Sequence, residues 1–495
     1  MSMRRVVIVG CGNAALCAGI AALEQGAIVV ILEKAELSEM GGNSRYTAGA
    51  MRFAYHSKED LEPFLEKTSD HRLRKTDFGS YSTKQFERDM LSFNGEFPLN
   101  ALQQLLIDRS YDTVKWMNHH NVSFEPIYSR QSYQKDDRWV FWGGLTLAAT
   151  GEGSGLITSL VKEYTRLRGE IIYGACAQQL IYHKDRIQGI QYRKGQDEEN
   201  ILCDAVVLAC GGFEANADLR VSYMGEEWRS AKVRGTPHNT GIGLKMALEI
   251  GAQFHGLPDG CHATPMDSLM PDNGNMDIPH IDRKLYRKIC YFLGVMINSD
   301  GKRFVDEGEN FRNYTYAQFG RAILRQPGNV AWQIFDSKVF DFLYSEYTFW
   351  DAHYVEADSL ELLIEKMGGV SSESALNTLY RFNASVQDHH AFDPTILDGR
   401  ATQGLSPNKS NWANTLDTPP FRAYPVTCGI TFTYAGLKIN ENAMVLDQND
   451  EVIQGLYACG EIVGGIFFHG YPGGSGLTSG AVFGKIAGTH AVTFN

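Results

Sequence analysis

No apolar run in the 495-residue chain approaches the roughly 20 residues that cross a bilayer, so a protein that does not span a membrane is expected. Positive charge is in deficit: 46 Lys and Arg face 58 Asp and Glu, a net charge of -12, which argues against a nucleic-acid partner because phosphate binding favours a basic surface. The nine cysteines, at 11, 17, 176, 203, 210, 261, 290, 428 and 459, stand singly, without a CxxC or the spacing of a zinc or iron–sulfur site. They read as reduced, mostly buried thiols of a cytoplasmic protein. Repeats of about 20 to 50 residues and low-complexity tracts are missing too, which excludes solenoids and disordered linkers. The start, Met1-Ser2-Met3-Arg4-Arg5, leads straight into a strand-like run, so no signal peptide is expected. The pairs His119-His120 and His389-His390 have no further ligand at helical spacing, and no metal is expected.

The first thirty residues carry a pattern that does bind something. Val6 to Val9 reads as a strand, Ala14 to Glu24 as a helix, and Ile28 to Leu32 as a second strand after a break at Gly26. Between strand and helix lies Gly10-x-Gly12-x-x-Ala15, the alanine-ended dinucleotide fingerprint. Gly10 permits the turn, Gly12 lets backbone approach a pyrophosphate, and Ala15 lets helix pack on strand. The pyrophosphate would sit on the free N–H groups of the helix start. Glu33, ending the second strand, is placed to accept from a ribose diol.

A small-residue loop, Met40-Gly41-Gly42-Asn43-Ser44-Arg45-Tyr46-Thr47-Ala48-Gly49-Ala50, follows the acid directly, where a nicotinamide domain would continue with further βα units. Later come two more apolar runs ending on glycine: Ala205 to Phe213 (AVVLACGGF) and Gly455 to Glu461 (GLYACGE). A second GxGxxG after a strand, as a nicotinamide site would need, is not visible. GEGSGL at 151 to 156 follows an irregular, Trp-rich segment and reads as a loop rather than a nicotinamide site.

In this order, GGNS, VVLACGGF, NTGIGLKMALEIGA, GVMINSDGKRFVDEG, GITFTYAGLKIN and GLYACGEIVGG give the chain a full-length resemblance to the flavoprotein family of fumarate reductase and succinate dehydrogenase. Within it, GGNSRYTAGAMRF, FRNYTYA, FDPTILDGRATQGLSPNKSNWA and YPGGSGLTSGAVFG look most like the tricarballylate dehydrogenase branch. The resemblance implies an α/β fold with an α+β cap: a Rossmann-like FAD-binding domain built from residues 1–257 and 431–495, with a capping domain, 258–430, inserted between them. It implies FAD held by Gly10, Gly12, Asn13, Ala14, Ala15, Glu33, Lys34, Gly41, Gly42, Asn43, Ser44, Thr47, Ala48, Gly49, Ala177, Ala209, Gly211, Gly212, Gly460, Glu461, Ser475, Gly476 and Leu477. Family members with covalent flavin carry a histidine where this chain has Ser44, so the FAD is expected to be non-covalent.

The implied reaction is desaturation of a C–C bond beside a carboxylate or carbonyl, or its reverse, with hydride passing to or from flavin N5. Such chemistry also needs a proton carrier and an anchor for the substrate oxygen. Arg312, shortly after GKRFVDEG, is the nearest match to the family's arginine proton donor, although the spacing is one residue longer. Tyr316 is the fallback, and His262 lies near a family substrate histidine. Two dicarboxylate clamps of fumarate reductases are replaced here by Phe432 and Tyr471. Tyr471-Pro472-Gly473 instead resembles the segment of 3-ketosteroid dehydrogenases whose tyrosine polarises a substrate carbonyl.

The expected partners are therefore a small carboxylate or ketone substrate and an electron acceptor that the sequence does not identify. For an anionic substrate Arg45, Arg52, Arg234 and Lys409 are candidate replacement clamps. For a larger ketone Phe432, Phe467 and Phe468 would line the pocket.

Overall fold

A computed structural model of the chain describes residues 3–65, 69–273, 286–349, 352–387 and 389–493. They form two compact units. The first comprises Met1–Met224, Gly235–Cys261 and Phe432–Asn495; the second comprises Gly225–Arg234 and His262–Thr431. The segment Gly225–Arg234, kept with the first domain in the sequence reading, groups with the second unit because Lys232 and Val233 pair with Gly429 and Ile430.

The first unit is organised by a nine-stranded sheet in the order Ala175–His183, Arg186–Lys194, Val452–Ala458, Ala205–Leu208, Arg5–Val9, Ile28–Leu32, Glu170–Ile172, with Asp197–Leu202 and Met444–Leu446 attached beside it. Strands 5–9, 28–32, 170–172, 205–208 and 452–458 run parallel. Their uninterrupted β-branched runs suit a sheet covered on both faces, and in both Arg5–Val9 and Ile28–Leu32 every residue after the first is buried.

The helix after the first strand spans Asn13–Glu24, one residue earlier than the apolar pattern predicts. It packs against the C-terminal helix Ser475–Thr493 through small residues four apart. A Cβ on Gly484 would come 2.5 Å from the Ala14 carbonyl, and one on Gly488 would overlap the Ala18 carbonyl. The glycines of the C-terminal segment thus bring two helix backbones together. Asn13 joins their starts, donating from Nδ2 to the Leu477 carbonyl at 2.8 Å.

The second unit is built on an antiparallel sheet. Val295–Asn298 pairs with Val330–Asp336, which pairs with Phe421–Thr433, and Val355–Ala357 adds to the same strand. Helices Leu360–Met367 and Ser372–Ser385 close a core of Ile297, Ile334, Leu363, Leu379, Phe382 and Ala423. Helix Arg312–Leu324 lies over a second core that includes Tyr291, Phe319 and Ile323. Among the described residues no helix is long and apolar enough to cross a membrane.

Candidate active site

In the first unit, the carboxyl ends of neighbouring parallel strands gather the predicted cofactor residues. Gly10 and Gly12 follow Val9, Glu33 and Lys34 follow Leu32, Ala209 to Gly212 follow Leu208, and Gly460 and Glu461 follow Ala458. This is where ligands bind in open α/β sheets. Gly10 has φ +102°, and a Cβ there would sit 2.5 Å from the Ala209 carbonyl, so the turn and its neighbouring strand exclude any side chain. Gly12 is the N-cap of the first helix, without a side-chain cap.

The GGNS loop is a short 3-10 turn, Gly42–Tyr46, tied to this edge at three points. Ser44 Oγ accepts from the Asn13 backbone at 3.1 Å, Asn43 Nδ2 donates to Glu214 at 2.6 Å, and Asn43 Oδ1 accepts from the Thr236 backbone at 2.8 Å. Thr47 Oγ1 donates to the Ser44 carbonyl and accepts from the Gly49 backbone. Ala48 lies half-buried between them. GEGSGL, expected as a loop, is instead the entry to helix Glu152–Arg166, with Gly151 as its cap. Gly153 lies so close to the Ser44 carbonyl that a Cβ would overlap it, which is why this helix start is glycine-rich.

Glu33 is buried, and its Oε1 accepts from the Ala35 backbone at 2.7 Å. Burial raises its pKa, opposed by backbone hydrogen bonds from Ala35 and Cys11. Lys34 reaches Thr240 Oγ1 at 3.1 Å. The Ala175 backbone donates to the Glu33 carbonyl, which sets the strand carrying Ala177 beside the second strand's end.

Glu461, expected to hold FAD, has a carboxyl partner that sequence reasoning missed, Glu214, next to the loop. Glu214 is fully buried; its Oε1 accepts from Asn43 and, at 2.6 Å, from Asn239 Nδ2, which also donates to Glu461 Oε2 at 3.3 Å. Glu461 Oε1 accepts from the Thr433 backbone at 2.9 Å. Burial raises the pKa of both carboxyls, and repulsion from Glu214 raises Glu461 further. The only sequence signal was an acid immediately after Gly211-Gly212-Phe213; Asn239 carried none.

In the same unit, Tyr471 stands in a cluster of rings. Its centroid lies 5.2 Å from Phe432, 5.5 Å from Phe467 and 6.4 Å from Tyr434. Gly476, at the start of the C-terminal helix, is next to it: a Cβ there would meet Phe432 Cζ at 3.6 Å and Tyr471 Cε2 at 3.8 Å. The Gly465–Phe468 run is positioned from a distance, since Asn100 Nδ2 donates to the Gly465 carbonyl and Gln103 Nε2 to that of Ile466. Phe468, expected beside Phe467, turns away and stacks on Phe97 at 4.6 Å.

In the second unit, Arg312 opens helix Arg312–Leu324, with its guanidinium 5.0 Å from the Tyr344 ring centroid. Burial opposes its charge, but Tyr344, Cys290, Tyr291 and Tyr316 more than offset this, and its pKa lies above the ordinary value. Tyr316, one turn on, packs edge-on against His262 at 5.1 Å. His262 is buried; burial first, then Arg234 and Arg287, push its pKa well down, so it is neutral at physiological pH.

Three of the four candidate carboxylate clamps are internal ties. Arg45 donates to the Ser38 and Met40 carbonyls, Lys409 to those of Phe292 and Gly294, and Arg52 to that of Gly473. Arg234 donates to Thr431 Oγ1. The two ring nitrogens of His120 lie 2.8 Å from Glu163 Oε1 and 2.9 Å from Glu24 Oε1, so it ties helix ends by hydrogen bonds.

The residues present fit FAD: a helix start whose N-cap is glycine, a buried acid at the second strand's end, and, at Gly42, a φ of +54° with no heavy atom within 4 Å of where a Cβ would stand. Such a glycine-lined carboxyl edge, entered from both ends of the chain, defines an FAD-binding protein.

The family of FAD binding domains matches residues 5–477, and the chain belongs to it. A probable fumarate reductase of Shewanella frigidimarina is 27% identical over 98% of this chain and 74% of its own length. The 4-oxocyclohexanecarboxylate 2-dehydrogenase of Sinomonas cyclohexanicum is 26% identical over 98% and 92%. The NADH:acrylate oxidoreductase of Vibrio harveyi is 26% identical over 98% of this chain, which spans only 50% of that protein. The open form of a flavocytochrome c3 fumarate reductase superposes with a TM-score of 0.72 at 25% identity, over 99% of this chain and 78% of that one. The 3-ketosteroid delta1-dehydrogenase of Sterolibacterium denitrificans superposes at 0.75 with 19% identity over the full length of both, a likeness of fold. The chain is an FAD-dependent oxidoreductase acting on CH–CH bonds.

Proposed function

We propose that the enzyme exchanges hydrogen across a C–C bond next to a ketone or carboxylate, and that its substrate is a compact cyclic or otherwise bulky carbonyl compound rather than a small polycarboxylate. The observation that carries this reading is the ring cluster of Phe432, Tyr434, Phe467 and Tyr471 beside Gly476. Such a wall favours an apolar skeleton, while the Tyr471 hydroxyl offers one donor to an oxygen. Arg45, Arg52 and Lys409 are tied to backbone carbonyls, which weakens the tricarballylate reading, since a tricarboxylate requires several cations.

FAD, held non-covalently, supplies the hydride exchange when bound. The chain's own residues supply the rest. In the oxidative direction one carbon gives up hydride and its neighbour a proton, which Arg312 accepts through exchange with a relay that includes Tyr316. Tyr471 donates to the substrate oxygen and stabilises the negative charge that builds there as the proton leaves. Neutral His262 supports the Tyr316 ring without adding a second cation.

Anaerobic loss of the flavin absorption band on mixing tests this. 4-Oxocyclohexanecarboxylate or a 3-ketosteroid is expected to bleach the flavin at least tenfold faster than tricarballylate. Faster bleaching by tricarballylate would replace the ketone reading with the polycarboxylate one. Failure of all three to bleach it, together with failure of fumarate and acrylate to reoxidise the dithionite-reduced flavin, would end both.

A further inference from the structure

Arg52 was a candidate to bind substrate, yet its contacts aim it elsewhere. It is 3% exposed, and its Nε donates to the Gly473 carbonyl at 2.8 Å, while its own backbone N–H donates to the Gly474 carbonyl at 3.2 Å. The guanidinium lies 5.0 Å from the Tyr81 ring centroid, with Nη1 3.4 Å from Asp89 Oδ2. Asp89 is itself held: Tyr81 hydroxyl donates to Oδ2 at 2.6 Å and Gln85 Nε2 to Oδ1 at 2.9 Å. Gly144 leaves the room, because a Cβ there would overlap Arg52 Nη1. A buried, charge-balanced arginine of this kind is costly to build, and removing one partner leaves an uncompensated buried charge. Here two of its donors, Nε and the backbone N–H, converge on one turn.

That turn is Tyr471 to Ser475. The Pro472 carbonyl accepts from both the backbone and the hydroxyl of Ser475, at 3.0 and 2.6 Å. The carbonyls of Pro472, Gly473 and Gly474 are thus all directed into the protein. Gly474, at φ +87°, is confined between Leu145 and the Arg52 backbone. Two glycines and a proline cannot fix Tyr471 by side-chain packing, so the orientation of each peptide plane has to be imposed from outside.

We propose that Arg52, braced by Asp89, Tyr81 and Gln85, is a positioning residue for Tyr471. By holding the Gly473 and Gly474 carbonyls it sets the turn that presents the phenol beside the start of the C-terminal helix. The proposal rests on the reading of Tyr471 as the group that binds substrate oxygen, and it extends that reading to the helix carrying Asp89, Thr83–Leu91, which the fold brings in from a distant part of the sequence.

Arg52→Lys, Arg52→Met, Tyr471→Phe and the double variant Arg52→Met/Tyr471→Phe test it, using whichever carbonyl substrate bleaches the wild-type flavin fastest. Arg52→Met is expected to retain FAD at full stoichiometry, to lower kcat at least tenfold with KM changed less than threefold, and to be partly rescued in Arg52→Lys. The double variant should lose no more than the worse single one, since both act on the same phenol. Amide hydrogen exchange supplies a readout independent of turnover: in the FAD-free protein, the 468–477 segment should exchange at least tenfold faster in Arg52→Met, with residues 13–24 unchanged. Should Arg52→Met not accumulate, Arg52→Lys and Asp89→Asn provide the same kinetic and exchange comparison. Wild-type kinetics in Arg52→Met, or multiplicative losses in the double variant, overturn the clamp while leaving Tyr471 in place. Wild-type kinetics in Tyr471→Phe overturn the reading of Tyr471 and the clamp with it.

Discussion

The two units solve different problems with different materials. The carboxyl edge of the first unit is made of glycines, backbone N–H groups and a few acids, while the second unit around Arg312 is made of a cation, phenols and a neutral histidine stacked on one another. A long cofactor is recognised along its length by main chain that can come close to it. On the proposed reading, a proton is moved at one atom by side chains whose charge is set by neighbours. The first kind of site depends on what residues lack, and the second on what surrounds them.

The largest effect expected from this contrast is at Arg312. Arg312→Ala should lower turnover by about 10²–10⁴-fold, the usual range for losing a proton carrier, while FAD remains bound at full stoichiometry. Stopped-flow reduction and the ratio of flavin to protein absorbance measure the two together. Loss of FAD along with activity would break the division of labour between the units.

Next comes the close approach of helices at the opposite kind of site. Gly484→Val places a side chain 2.5 Å from the Ala14 carbonyl and should destabilise the first unit by about 3 kcal/mol or more, with release of FAD. Gly26→Ala, where nothing stands within 4 Å, should cost only the left-handed backbone strain, about 1–2 kcal/mol. Urea unfolding of both variants sharpens the point that contact, not flexibility, explains most of the glycine in the C-terminal helix.

A smaller effect concerns the carboxyl pair. Glu214 and Glu461 have raised pKa values in the folded state, so above the unfolded carboxyl value of about 4.3 the folded protein keeps a proton that the unfolded chain has released. Stability of the FAD-free protein therefore falls as pH rises through neutral, by up to about 1.4 kcal/mol per pH unit. Glu214→Gln should flatten that slope in thermal melts between pH 5 and 8.

The smallest effect is the mirror case in the second unit. His262 is held neutral, so below about pH 6.5 the unfolded chain takes up a proton that the folded one refuses, and stability is lost as pH falls. Melts of His262→Gln between pH 5 and 7 should show a shallower acid limb than the parent. If the two variants moved the same limb, the electrostatic contrast between the units would fail.

Much of the first unit was legible before any coordinates. Val6 to Val9 and Leu32 with its neighbours Val29 to Ile31 are buried and therefore read as unbroken β-branched runs, and the glycine at 10 marks a turn that only it can make. Glu214, Asn239 and Thr433 escaped notice because a hydrogen-bonded carboxyl pair has no periodicity; its members come from segments more than 200 residues apart. The GEGSGL segment was misread as a loop because glycine usually argues against helix, and close packing on the Ser44 carbonyl overrode that preference. Phe467 and Phe468 are adjacent in sequence, yet only one joins the ring cluster.

By itself, the amino-acid sequence determined the nucleotide-binding edge, since backbone recognition of a large cofactor requires small residues at fixed spacing after each strand, and that requirement is local. The tertiary structure alone decided what the charged and aromatic side chains do. Arg45, Arg52 and Lys409 looked equally available for an anionic substrate, and hydrogen bonds to particular carbonyls made each of them a tie within the fold. Whether a cation such as Arg52 or Lys409 meets a ligand or a peptide group depends on what long-range packing places within about 3 Å of it, and local sequence carries no record of that distance.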